Sequence, residues 1–267
     1  VAGGSGGEGE PMTSFCRAAM EAHVAEYQRF FGDRLIAVYV WGSGHRGEAV
    51  EGVSDLDLHA FVTKRLPEDE AWFQENRGLL EARFPGTAGL SRPLLADVRS
   101  GLIPGAAVPA QNYAVALGFR LCFDATILRG EPVIIAPEVM PFIGADFARR
   151  GFESVCDLSR FAAGLDTDNK TDFDLPSAPA LRLRKLARLA VIGGGWYTVA
   201  TGQGTSFRGA DVLPVLRRDF PGHELFLNQT ERQYIAPLPD AEAATLLPSY
   251  TDAVARFMQT LSDRFPP

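Results

Sequence analysis

The chain has 267 residues, is 46% hydrophobic, and carries 26 Lys and Arg against 33 Asp and Glu for a formal net charge of -7. That length and composition fit a globular protein of one large or two modest domains, and the acidic balance argues against a broad nucleic-acid footprint, which needs Lys and Arg to neutralise phosphates. No apolar run approaches the roughly 20 residues of a membrane span, no export leader is recognisable, and Cys16, Cys122 and Cys156 lack the spacing of a disulfide framework or zinc site, so a reduced cytoplasmic setting without DNA or membrane partners is expected.

Residues 1–11, VAGGSGGEGEP, have the Gly-rich composition of a flexible linker or tag remnant. From Phe15 to Phe31 apolar residues recur at helical spacing (Phe15, Ala19, Ala22, Ala25, Tyr27, Phe30), and Gly32-Asp33 then ends the helix. LIAVYVWG reads as a buried strand, and DLDLHAFV as a second with strict alternation. Glu68 to Phe84 reads as an amphipathic helix opening with acids, as the helix dipole prefers. RPLLADVRS is a candidate third strand, Gln111 to Leu128 a candidate helix, and RGEPVIIAPEVMP, with its prolines, is loop-like.

A domain boundary is expected near residue 140, giving domains over 12–140 and 141–267, the second mostly helical. Leu186, Leu189, Ile192, Trp196 and Ala200 form an apolar stripe on one of its helices, which Gly193 to Gly195 should bend or relax. SYTDAVARFMQTLSDRF closes the chain as another amphipathic helix, and the acid-rich LDTDNKTDFDLP reads as a solvated linker, lacking the glycine and closing glutamate of a calcium loop.

Two chemistries compete over Val38 to Val62. Gly42, Gly44 and Gly47 spell G-x-G-x-x-G after a strand, as a dinucleotide-binding turn would. Only seven residues separate Gly47 from Asp55, too few for the crossover helix of such a unit. The same pattern recurs at Gly4, Gly6 and Gly9 with no strand before it, so the bare motif decides little.

Asp55 and Asp57 are two apart on the second strand, so both carboxylates project from one face while Leu56 and Leu58 face the core. At about 6 Å and an effective dielectric near 20 their repulsion is on the order of 2 to 3 kcal/mol, which a hard divalent cation such as Mg²⁺ offsets while keeping sites open for phosphate oxygens. Gly42-Ser43, where the previous strand ends, has the small residues that let backbone N–H groups and a hydroxyl approach a phosphate.

The arrangement G-S, eleven residues, then D-x-D resembles the signature of the nucleotidyltransferase superfamily that includes polymerase β and the antibiotic nucleotidyltransferases. DATILRGEPV and WYTVATGQGTSFRGADV look like segments of streptomycin/spectinomycin-type aminoglycoside adenylyltransferases. The resemblance implies an α+β fold, with an N-terminal nucleotidyltransferase domain (a short mixed sheet flanked by helices) followed by a helical bundle domain. It implies that Gly42 and Ser43 hold the triphosphate of an NTP, with ATP the expected donor, and that Asp55 and Asp57 bind Mg²⁺.

Asp97 matches the family's third carboxylate, a metal ligand or general base, where some members have glutamate. Arg208 stands where the family has lysine and would neutralise triphosphate, with Lys185, Arg184 and Arg188 as further cations. The implied partner is a small-molecule acceptor of cationic, aminoglycoside type, whose modification gives antibiotic resistance. Transfer to a protein or RNA hydroxyl, and nucleotide binding without catalysis, are the alternatives. A monomer is the expected state. His59 shares the face of the aspartates and is expected to pack behind the site, as are Trp196 and Tyr197 in the helical core.

Overall fold

The computed structural model describes residues 14–49, 51, 54–85, 87, 90, 91, 93–100, 110–162, 177–236 and 238–266. Residues 1–11, the segment GLIPG and LDTDNKTDFDLP lie outside the described residues. The chain divides into two compact units, Val1–Pro141 and Phe142–Pro267. Among the described residues no helix is long and apolar enough to cross a membrane, and none of Cys16, Cys122 and Cys156 is in a disulfide.

The first unit is built on a four-stranded sheet. Helix α1 (Ser14–Phe31) leads through a short 3-10 turn at Gly32–Arg34 into β1 (Leu35–Trp41), then α2 (Gly42–Arg46), β2 (Leu58–Val62) and α3 (Glu68–Arg83). β3 (Leu90–Ser91), α4 (Leu95–Ser100), α5 (Ala110–Phe123), β4 (Ala125–Gly130) and α6 (Ala136–Val139) complete it. Strand order is β3-β2-β1-β4, with β1 antiparallel to both β2 and β4 and the two-residue β3 parallel to β2. The fold is thus α+β, mostly helical around a small mixed sheet.

The buried face of α1 runs through Cys16, Ala19, Met20, His23, Tyr27 and Phe31, so it is rotated from the stripe read in the sequence and leaves Ala25 exposed. This face joins Val38, Val40, Leu58, Ala60, Val62, Leu80 and Phe84 in one core. The sheet is covered on both sides, since Ala37 to Val40 and all of β2 are buried, which removes the strict alternation expected of a half-solvated strand. On the second side Tyr39 and Phe61 meet edge to face at 5.5 Å, and Val133 N–H donates to the Tyr39 hydroxyl at 3.0 Å.

Three expectations for this unit are corrected. LADVRS, read as part of a third strand, is helix α4; only Leu90–Ser91 and a bridge at Leu94 pair with β2. Short apolar runs do not separate helix from strand by periodicity. The helix expected through Leu128 ends at Phe123, and ATILRG turns back as β4 to close the sheet beside β1. The strand carrying the aspartates begins at Leu58, so Asp55 and Asp57 precede it on an irregular stretch.

The second unit packs α7 (Ala145–Ala162), α9 (Gly209–Asp219), α10 (Glu224–Ile235) and α11 (Asp240–Asp263) around a central α8 (Pro179–Ala200). α8 runs through Gly193 to Gly195 as continuous helix, so the glycines do not end it. The glycines instead admit neighbours: a Cβ at Gly193 would meet Met258 of α11, one at Gly194 would meet Leu216 and Val212 of α9, and one at Gly195 would meet the Phe207 ring. Close packing here offsets the roughly 1 kcal/mol helix cost of each glycine relative to alanine. Trp196 and Tyr197 are buried, with Trp196 against Phe147 and Phe207 at ring distances of 5.5 and 4.9 Å.

Candidate functional site

At the end of β1 the chain turns on Gly42, whose φ of +62° lies in the left-handed region that L side chains avoid. The single helical turn α2 follows and stops at Gly47 (φ 73°), whose N–H, with that of Glu48, bonds back to the Ser43 carbonyl. A five-residue helix has no stability of its own, so its neighbours must hold it. Trp41 N–H donates to the Asp57 carbonyl at 3.0 Å, tying the end of β1 to the entry of β2.

This brings Gly42 against the Asp57 carboxylate: a Cβ on residue 42 would lie 2.8 Å from Asp57 Oδ2. Glycine is therefore needed twice over, for the backbone angle and for the space. Ser43 is buried, and its hydroxyl points at the Asp55 carbonyl over a long 3.5 Å. Leu56 and Leu58 are fully buried, Asp57 is half-buried and Asp55 exposed. Of the two carboxylates, that of Asp57 is the one placed beside the small-residue turn, on a stretch anchored by buried leucines; a carboxylate is the oxygen donor a hard cation takes.

Asp97 lies on α4 rather than on a strand, and its side chain is outside the described ones. Among the described residues no group of three or more His, Cys, Asp and Glu side chains is placed to hold a metal. Lys185, Arg184 and Arg188 are on α8 of the second unit, with Arg184 buried and the other two half-buried. Arg208 is the N-cap residue of α9: its N–H donates to Ser206 Oγ at 3.2 Å and its carbonyl accepts from Asp211 and Val212. These cations thus belong to the helical unit, whereas Gly42, Ser43, Asp55 and Asp57 belong to the first.

His59 is buried against the Trp41 ring. Burial, reinforced by the Arg120 charge, pushes its pKa down to about 3, so it is neutral at physiological pH. It serves as packing behind the aspartates. His45 Nδ1 hydrogen-bonds Thr126 Oγ1 at 2.8 Å, which fixes α2 to β4.

A buried charge network beneath α2 was missed by reading the sequence. The Arg46 guanidinium reaches both Asp124 oxygens, at 2.9 and 3.0 Å, and Glu48 Oε2 at 2.8 Å. Arg46 and Asp124 are 8% and 6% exposed, and such charges are buried only when paired. The one clue was a basic residue inside a glycine-rich turn; its partner is 78 positions away.

No protein-family model matches the chain, and no curated protein matches it. Among solved structures, the chain is similar to spectinomycin adenyltransferase AAD(9) from Enterococcus faecialis, solved with ATP and spectinomycin. The TM-score is 0.52 at 15% sequence identity, over 91% of this chain and 99% of that one. The two share a fold.

Proposed function

We propose that this protein is an Mg²⁺-dependent nucleotidyltransferase that moves AMP from ATP to a hydroxyl of a small cationic molecule of aminoglycoside type. The observation that carries this reading is the contact between the Gly42-Ser43 turn and the Asp57 carboxylate, on a fold shared with a protein solved with ATP and spectinomycin. Asp55 and Asp57 would hold the metal, with Asp97 as a further ligand. When bound, Mg²⁺ would offset charge on the phosphates and on the departing pyrophosphate.

The remaining roles fall to the chain's own groups. Gly42 and Ser43 let the triphosphate approach the backbone. The acceptor hydroxyl oxygen bonds to the α-phosphorus, the bond to the β-phosphate oxygen breaks, and pyrophosphate leaves. Asp97 accepts or orients the hydroxyl proton. Positioning and electrostatics carry most of the acceleration. Adenylylated acceptor would lose charge and shape complementarity to its target, which would give resistance to an antibiotic of this class.

A second reading is nucleotide binding without turnover, which holds if Asp97 on α4 does not reach the proton a base must take. A pyrophosphate-release assay with Mg-ATP and a panel of spectinomycin- and streptomycin-type acceptors separates the two. Release that needs both metal and a small acceptor supports transfer. Release absent across the panel, with ATP bound, supports the second reading, and transfer of a labelled nucleotide to protein or RNA would redirect the acceptor class.

A further inference from the structure

Arg46 and Asp124 present a problem that packing alone does not solve. Two charges are removed from water under a five-residue helix, where an apolar pair of similar volume would serve stability as well or better. Their placement gives them another use. Asp124 immediately precedes β4, and Ala125 is paired with Trp41, the residue before Gly42. Thr126, paired with Val40, takes the His45 hydrogen bond. On the other side of β1, Trp41 N–H is bonded to the Asp57 carbonyl. The Gly42-Ser43 turn is therefore gripped from both flanking strands at the same level of the sheet.

We propose that the Arg46–Asp124 pair is a positioning strut that sets the height and orientation of α2, and through it holds Gly42-Ser43 against Asp57 for phosphate binding. The proposal rests on the nucleotidyltransferase reading. Arg46 acts through its neighbours and does not contact the phosphates: its guanidinium is already engaged by Asp124 and Glu48. Nη1 reaches both Asp124 oxygens while Nε reaches Glu48, so the planar guanidinium fixes its orientation between two carboxylates, which a lysine ammonium does not. Asp124 serves as the fixed end, since Ala125, Thr126 and Ile127 of the strand it opens pair with Trp41, Val40 and Tyr39 of β1.

The two roles for Arg46 make opposite predictions. If Arg46 were a phosphate ligand, Asp124→Asn would release positive charge and leave nucleotide affinity unchanged or raise it. For a strut, Asp124→Asn lets α2 shift, and affinity falls by about tenfold or more, as expected when a binding group loses its supporting contact.

The test is calorimetric titration of the Mg²⁺ complex of a non-hydrolysable α,β-linked ATP analogue into wild type, Asp124→Asn and Asp124→Glu, well below each protein's melting temperature. Amide hydrogen exchange over residues 42–48 is followed in parallel. The expected result is weakened binding and faster exchange over 42–48 in Asp124→Asn, with affinity within about threefold of wild type in Asp124→Glu, which keeps the carboxylate. Arg46→Lys takes the place of Asp124→Asn if that variant does not fold, and it should show the same weakened binding, since it keeps the charge without the planar group that spans Asp124 and Glu48.

Wild-type affinity in folded Asp124→Asn, or Asp124→Glu as weak as Asp124→Asn, overturns the strut while leaving the nucleotide site standing. A wild type that binds no Mg-nucleotide analogue overturns the nucleotide site, and the strut with it.

Discussion

Replacing Gly42 by alanine tests the geometry of the turn directly. A left-handed backbone costs an L residue about 1 to 2 kcal/mol, and Gly42 sits at φ +62°. Its new Cβ would also lie 2.8 Å from Asp57 Oδ2, where ordinary contact begins at 3.4 Å, so the carboxylate must retreat by about 0.6 Å (3.4 − 2.8). Because the carboxylate is the far end of a rotatable side chain, retreat adds little to the loss of stability. It does move a proposed metal ligand, and a loss of affinity on the order of tenfold follows, the low end of what disturbing a metal ligand costs.

Gly32→Ala is the internal control, with φ +52° and nothing within 4 Å of its Cβ. Urea denaturation of both variants should show a similar loss of about 1 to 2 kcal/mol. Only Gly42→Ala should weaken binding of the Mg-nucleotide analogue. Equal, undiminished affinity in the two variants would refute the claim that residue 42 and Asp57 share one site.

Other outcomes follow from the same contacts. Burial pushes the pKa of His23 from 6.5 down to about 4, against the opposing charge of Glu81. The unfolded chain therefore binds a proton that the native state refuses. His23 should cost no stability above about pH 6.5 and about 3 kcal/mol progressively down to about pH 4, with His59 acting in the same direction; His23→Gln should flatten the stability profile measured by denaturation across that window. Arg46→Met leaves Asp124 buried without its partner and should destabilise the first unit by about 3 to 5 kcal/mol, read from the denaturation midpoint. In α8, Gly194→Ala places a Cβ 2.5 Å from Leu216 and should cost about 1 to 3 kcal/mol through overpacking. Gly78→Ala, in α3 with nothing nearby, should stabilise by about 0.5 to 1 kcal/mol; equal shifts in the two melting temperatures would contradict the packing role of Gly194.

Features carried by near neighbours in sequence were the legible ones. α1 and α3 announce themselves through period and terminal signals, and the β1-turn-β2 stretch through its glycines and the buried Leu56 and Leu58 flanking Asp57. α4 and β4 were misread because LADVRS and ATILRG are too short for period to discriminate, and their type is decided by what they pack and pair with. The glycine run in α8 reads locally as a weak point, yet it is where Met258, Leu216 and Phe207 approach the helix axis. Most of what holds the candidate site lay out of reach: Arg46 and Asp124, or His45 and Thr126, show no relation in spacing, and only the closure of the sheet by β4 brings them together.

The central claim is that Asp55 and Asp57 make the Gly42-Ser43 turn a metal-nucleotide site. Calorimetric titration of the Mg²⁺ complexes of the four α,β-non-hydrolysable NTP analogues into wild type and an Asp55→Asn/Asp57→Asn variant addresses it most directly. The account predicts metal-dependent binding, tightest for the ATP analogue, that disappears in the variant while its melting temperature stays close to wild type. Wild type that binds none of the four, or a variant that binds as tightly as wild type, would contradict it.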